Sequence, residues 1–148
     1  MKTSFSVSLK FGVLIAVALV VYFFILRSFS LHQNPLLRLF NGIVMAAGIY
    51  YAIKYFKKSN SNAIGYFDGF KTGLFTGFIA TIIFTAFMSI YMFHLDPNFT
   101  KVLMREWFST YNQGAGVLVF IILIEGLSST VVLTLAFMQL FKKSRNIS

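Results

Sequence analysis

The sequence has no cysteine and few charged residues, and both shortages limit what the protein can do. Without cysteine the chain has no thiolate metal ligands, no disulfide bonds and no thiol redox chemistry. Charged residues make up only 11 % of its 148 residues, against roughly 25 % in a soluble domain, which is too little charge to cover a water-facing surface. The hydrophobic fraction of 57 %, with 19 Phe, therefore predicts a membrane protein.

The apolar residues are concentrated in four long blocks, and we expect each block to cross the membrane as one α-helix. These spans are expected at about residues 11–29, 36–56, 70–93 and 115–141. A cleaved signal peptide is the alternative for the first block, but the length of the block and the lack of an Ala-x-Ala site favour a retained span. The predicted fold is all-α: one membrane domain, residues 1–148, forming an antiparallel bundle of four transmembrane helices.

A short amphipathic helix is predicted between the third and fourth spans, over about residues 97–108. Asp96-Pro97 is typical of a helix cap followed by the first helical residue. Leu103 falls on the apolar side of this helix and Arg105 on the charged side. The pattern suits a helix that lies flat in the outer membrane interface, and a plain loop packed on the bundle is the alternative.

The basic residues predict the orientation of the chain, because connections rich in Lys and Arg stay in the cytoplasm. The larger set flanks the blocks at the N-terminus, the middle connection and the tail: Lys2, Lys10, Lys54, Lys57, Lys58, Lys71, Lys142, Lys143 and Arg145. The opposite connections hold Arg27, Arg38, Lys101 and Arg105. Both termini are therefore expected in the cytoplasm, with membrane lipids around the spans. The net charge of +9 does not indicate nucleic acid, because no basic patch lies on a soluble module.

Small residues recur at every fourth position along the third block and predict a close helix contact. The series is Gly65, Gly69, Gly73, Gly77, Thr81, Thr85 and Ser89. Residues with this spacing share one helix face, and a face of small residues lets helices in lipid approach closely. This predicted glycine zipper can pack against another span of the same chain, a second copy of the chain or a helix of another protein.

Glu125 is the acid inside the fourth block, about 5 Å from the bilayer centre at 1.5 Å per residue. A carboxylate at that depth costs about 3 kcal/mol, so we expect it to face the interior of the bundle. Asn41 and Thr85 are expected at a similar depth, and Ser128 and Ser129 lie one turn away on the same helix. Two interpretations stay open. In one, Glu125 forms a hydrogen-bonded contact between helices. In the other, it belongs to a functional site, which is a proton or cation relay or a polar ligand cavity.

Motifs for catalysis and cofactor binding are missing from the sequence. It has no serine nucleophile elbow, phosphate loop, paired-carboxylate motif or zinc-binding helix pattern. Ser128 and Ser129 beside Glu125 lack a membrane-embedded His or Lys base. The two histidines show no metal-ligand spacing. We therefore expect a protein that is not an enzyme and that has no metal site and no cofactor.

Three features occur together in this sequence. They are four spans in 148 residues, glycines at every fourth position leading into the third span (Gly65, Gly69, Gly73 and Gly77), and the Asp96-Pro97-x-Phe99 segment after that span. This combination resembles a family of small bacterial membrane proteins that is classed only as a domain of unknown function. The resemblance implies the four-span topology and a bacterial inner membrane. It implies no activity, substrate or catalytic residue.

These patterns favour a non-enzymatic membrane module that packs with itself or with a partner membrane complex through its small-residue face. The alternative is a small proton- or cation-coupled transporter, a channel or a lipophilic-ligand binder. In each of these alternatives Glu125 is the central polar group.

Overall fold

The computed structural model is all-helical and describes residues 3–31, 35–60, 65–107 and 114–141. Its helices are α1 (Ser4–Ser28), α2 (Pro35–Ser59), α3 (Tyr66–Ile90), α4 (Pro97–Trp107) and α5 (Ala115–Leu140), and a π-helical turn, Tyr91–Leu95, continues α3. Four of them are long and apolar enough to cross a membrane, and the described ranges contain no strand. The predicted all-α fold with four spans and one short helix is confirmed, with residue 108 lying outside the described residues.

Hydrogen bonds at both ends make α1 longer than the apolar block that predicts it. At its start, the Thr3 hydroxyl accepts a hydrogen bond from the Ser6 amide at 3.3 Å and caps the helix. At its end, the Leu31 amide donates to Leu26 O at 2.9 Å, and Ser30 between them has a φ of 56°. This is a Schellman ending, in which one left-handed residue stops the helix. Here a serine holds the position that glycine usually takes.

Consecutive long helices run in opposite directions, and α3 is the centre of the bundle. The start of α1 meets the start of α3, where Ser8 Oγ donates to Thr72 O at 3.0 Å. The start of α1 also meets the end of α2, where the ring centroids of Phe11 and Tyr55 are 5.5 Å apart. Helix α3 contacts each of the other three long helices. Its position in the middle is the reason that it needs small residues on more than one face.

Two apolar clusters fill the bundle. One lies between α1, α2, α3 and α5 and includes Ile15, Ile49, Ile53 and Met138. The other lies where the π-helical turn and α4 close the bundle, and we call this the α4 end; it includes Phe23, Met88, Tyr91, Met92, Phe99, Leu103 and Leu118.

A cluster of hydroxyl side chains joins α1 to α3 at the end opposite α4. Thr72 O accepts hydrogen bonds from Ser8 Oγ at 3.0 Å and from Thr76 Oγ1 at 2.6 Å. The Thr72 hydroxyl donates to Asp68 O at 2.8 Å, so Ser4 Oγ, 2.9 Å away, is its donor. Ser8, Thr72 and Thr76 are fully buried. Their mutual hydrogen bonds remove the cost of burying hydroxyl groups and fix the position of α1 along α3.

Candidate ligand cavity

The glycines of α3 bring α5 so close that a methyl group does not fit between the two helices. A Cβ atom added to Gly73 would lie 2.7 Å from Thr134 Cγ2, and one added to Gly77 would overlap Thr130. Both threonines belong to α5 and are fully buried. The small-residue face of α3 is therefore occupied by another span of the same chain.

The two ends of the predicted face differ from its middle. Gly65 precedes α3 as its N-cap residue and is exposed, so it takes no part in the contact with α5. A Cβ atom on Gly69 would lie 3.0 Å from Met138 of α5. At the other end of the contact the glycine belongs to α5 and the threonine to α3: a Cβ atom on Gly126 would lie 2.6 Å from Thr81 Cγ2. The contact is thus built by glycines of both helices.

The matching face of α5 was not predicted from the sequence, although the same spacing marks it. Gly126, Thr130, Thr134 and Met138 follow one another at every fourth position and face the small residues of α3. Two helices with this spacing can pack closely because small residues line most of the contact on each of them, with Met138 of α5 fitting over Gly69 of α3.

A cavity of about 200 Å³ lies beside this contact, towards the α4 end. All five helices contribute to it, with Phe23 from α1, Met45 from α2, Thr85 from α3, Leu103 from α4 and Glu125 from α5 among its lining residues. On the rim, Leu39 and Gly42 of α2 and Glu125 of α5 are exposed. The cavity therefore opens sideways, between α2 and α5, to the surroundings of the bundle.

Three oxygen atoms in the cavity wall are buried and lack a hydrogen-bond partner among the described residues: Asn41 Oδ1, Thr81 Oγ1 and Thr85 Oγ1. Thr81 is only 3 % exposed and Thr85 only 7 %. A buried polar atom without a partner costs about 1–3 kcal/mol, and a polar guest in the cavity would remove that cost for all three atoms. The wall around these atoms is mostly apolar, so the cavity combines an apolar interior with a few convergent polar groups, as ligand sites do.

Glu125 was expected to face the interior of the bundle, but its side chain is exposed at the cavity rim. The neighbouring Gly126 faces Thr81 of α3, and one residue along a helix corresponds to a rotation of about 100°. The rotation turns Glu125 away from α3 and towards the opening. Of the two serines near it, Ser129 lines the cavity and is half-buried, whereas Ser128 is exposed.

Helix α4 closes one end of the cavity with two buried side chains, Phe99 and Leu103. Asp96 caps this helix, because its Oδ1 accepts a hydrogen bond from the Phe99 amide at 3.0 Å. Its Oδ2 accepts another from the Tyr91 hydroxyl at 3.1 Å, and the Arg27 guanidinium lies 5.1 Å from the centre of the Tyr91 ring. The predicted Asp96 cap is confirmed, and it also ties α4 to the end of α3.

Four long apolar helices, a short helix across one end and a cavity that opens sideways define a multi-span helical membrane protein. The family model for a protein of unknown function (DUF4199) matches residues 10–143, and the chain belongs to this family. The resemblance seen in the sequence is therefore confirmed. No curated protein and no solved structure matches the chain.

Proposed function

We propose that this chain is a non-enzymatic membrane protein that binds a lipophilic molecule in the cavity at its α4 end. The observation that carries the proposal is the set of three buried, unpartnered oxygens of Asn41, Thr81 and Thr85 in a largely apolar cavity. A guest with a polar group would satisfy these atoms and remove their desolvation cost. Because the cavity opens between α2 and α5, such a guest can enter directly from the membrane.

The bilayer is the proposed source of the guest, and a bacterial inner membrane with both termini in the cytoplasm is the proposed location. The structure supports this orientation by placing Lys10, Lys54, Lys57 and Lys71 at the end opposite α4, each beside an aromatic ring at 4.4–5.7 Å from its centre. Lysine side chains near helix ends reach the membrane interface, and an excess of Lys and Arg is typical of its cytoplasmic side. Nucleic acid has no part in this proposal.

Association with a second copy or with a partner membrane protein is a second candidate function, and the exposure of α5 favours it. Only 11 % of the most apolar stretch of α5 is buried inside the bundle, against 39 % of the corresponding stretch of α3. Gly73 and Gly77 already pack on α5, so the small-residue face is not free for a partner. Any association would use the outward face of α5, where Ser128 is exposed among apolar residues.

Photoaffinity labelling tests the binding proposal, with an alkylbenzene that carries a diazirine as the probe. Gly42 lines the cavity at its exposed rim, and a Cβ atom there meets no other atom within 4 Å, so Gly42→Phe places a ring at the cavity opening without a clash at its Cβ atom. Gly116 of α5 is equally open but does not line the cavity, and Gly116→Phe is the matched control. We expect labelled peptides from α2 and α5 in the original protein and in the Gly116 variant, and their loss in the Gly42 variant. Equal labelling of all three proteins would contradict the proposal.

A further inference from the structure

We propose, as an extension that rests on the binding function above, that the guest is a lipid whose head is a hydroxylated aromatic ring, such as a hydroquinone with an apolar tail. Three properties of the cavity favour such a guest: the hydrogen-bonding capacity of its polar atoms, its size and walls, and its opening.

A guest group that both donates and accepts hydrogen bonds uses the full capacity of these polar atoms. Asn41 Oδ1 is an amide oxygen and can only accept. The hydroxyls of Thr81 and Thr85 each have one proton to donate and lone pairs to accept, and neither has a partner among the described residues. A guest carbonyl would leave Asn41 Oδ1 unsatisfied, and an ammonium group could not accept from the threonines. A hydroxyl group serves both kinds of atom.

The volume and the walls of the cavity suit a single ring. A cavity of roughly 150 Å³ binds benzene in another protein, and this cavity of about 200 Å³ has space for a ring with small substituents. Phe23 and Phe84 offer ring faces or edges, and Met45 and Met88 offer sulfur atoms. Edge-to-face ring pairs and sulfur–aromatic contacts both favour an aromatic guest over a saturated one of equal size.

The opening provides a place for a tail that the cavity itself cannot hold. Leu39 and Gly42 on α2 are exposed at the rim, opposite α5. A chain attached to the ring can leave through this gap and lie among the acyl chains beside α2 and α5. The guest is then anchored at one end by hydrogen bonds and at the other by the bilayer.

Competition against the photoreactive alkylbenzene tests the inference, with decylhydroquinone and its dimethyl ether as a matched pair. The ether keeps the ring and the tail but has no proton to donate. One hydrogen bond contributes about 1 kcal/mol, or about a fivefold change in affinity, so we expect the hydroquinone to compete at least fivefold better than the ether.

Three variants assign this preference to the cavity atoms. Thr85→Val and Asn41→Leu remove the polar atoms with little change in shape, and each should reduce the hydroquinone preference severalfold while the potency of the ether stays nearly the same. Thr134→Val is the control, because Thr134 Oγ1 is also buried without a partner among the described residues but lies against Gly73, outside the cavity lining. This variant should keep the full preference.

The outcomes separate this inference from the function on which it rests. Equal competition by the hydroquinone and the ether, at a site that Gly42→Phe abolishes, would overturn the hydroxylated ring and leave the lipophilic cavity intact. Stronger competition by decylamine, lost in Glu125→Gln, would overturn it in favour of a cationic head. If Gly42→Phe has no effect on labelling, both the inference and the binding function fail.

Discussion

Adding one methyl group at the centre of the contact between α3 and α5 is expected to destabilise the bundle. In Gly73→Ala the new Cβ atom would lie 2.7 Å from Thr134 Cγ2, 2.9 Å from Ile53 Cδ1 and 3.0 Å from Thr134 Oγ1. These distances are shorter than van der Waals contacts, so α5 must move outwards or the side chains must leave their preferred rotamers. Overpacking of this kind costs about 1–3 kcal/mol, and the better helix propensity of alanine returns roughly 0.5–1 kcal/mol. The net expected loss is about 1 kcal/mol.

Thr134→Ala is expected to restore part of the stability lost in Gly73→Ala, because it removes two of the three atoms that lie too close to the new Cβ atom. Thr134 Oγ1 has no hydrogen-bond partner among the described residues, so truncating this side chain alone sacrifices packing but no hydrogen bond within those ranges. We therefore expect the double variant to be more stable than the sum of the single changes by about 1–2 kcal/mol, the size of coupling seen between residues in direct contact.

Reversible unfolding in mixed micelles with increasing dodecyl sulfate, followed by circular dichroism, measures these free energies. Gly42→Ala is the control for helix propensity, because no atom lies within 4 Å of the added methyl group. It should leave stability unchanged or slightly raised. A neutral Gly73→Ala, or a double variant whose effect is additive within about 0.5 kcal/mol, would show that the two helices do not rely on close contact here.

Three further substitutions have expected outcomes in the same unfolding assay. Asp96→Ala removes the acceptor of the Phe99 amide and of the Tyr91 hydroxyl and should cost about 1–2 kcal/mol. Hydrogen exchange should become faster in α4 and in the π-helical turn before it, and unchanged exchange there would speak against the cap. Ser30→Gly relieves a left-handed residue with a φ of 56° and should raise stability by about 1 kcal/mol, and a loss would contradict the strain. Ser8→Ala removes the buried hydrogen bond to Thr72 O and should cost about 1 kcal/mol, whereas a neutral result would mean that Thr76 alone satisfies that carbonyl.

The number and type of the helices could be predicted because the bilayer imposes a length and an apolar composition on every span. The ends were harder to place, since they depend on single hydrogen bonds. Helix α1 begins at Ser4 rather than near residue 11 because Thr3 caps it, and the π-helical turn after α3 has no signature in composition. The hydroxyl cluster around Thr72 was missed for a similar reason: serine and threonine in a span give no sign of which neighbour they will face.

The candidate site was only partly predictable, because its geometry depends on the rotation of one helix. Asn41, Thr85 and Ser129 were expected near Glu125, and all of them line one cavity. The predicted inward orientation of the Glu125 side chain was wrong, because it was inferred only from the cost of placing a carboxylate in lipid. The residues at every fourth position from Gly126 face α3 and so fix the rotation of α5 about its axis. That spacing, used as a guide, predicts that Glu125 points away from α3.

The central position of α3 has a consequence for the biosynthesis of the protein. Spans leave the ribosome in order, so α1 and α2 reach the bilayer before the helix that both of them contact. Until then Ser4 and Ser8 lack their hydrogen-bond partners on Thr72, and the faces of α1 and α2 that pack on α3 stay uncovered. A chain halted after its second span therefore exposes the surfaces of α1 and α2 that α3 covers in the complete bundle. Such uncovered surfaces are what a membrane chaperone or a quality-control protease would recognise.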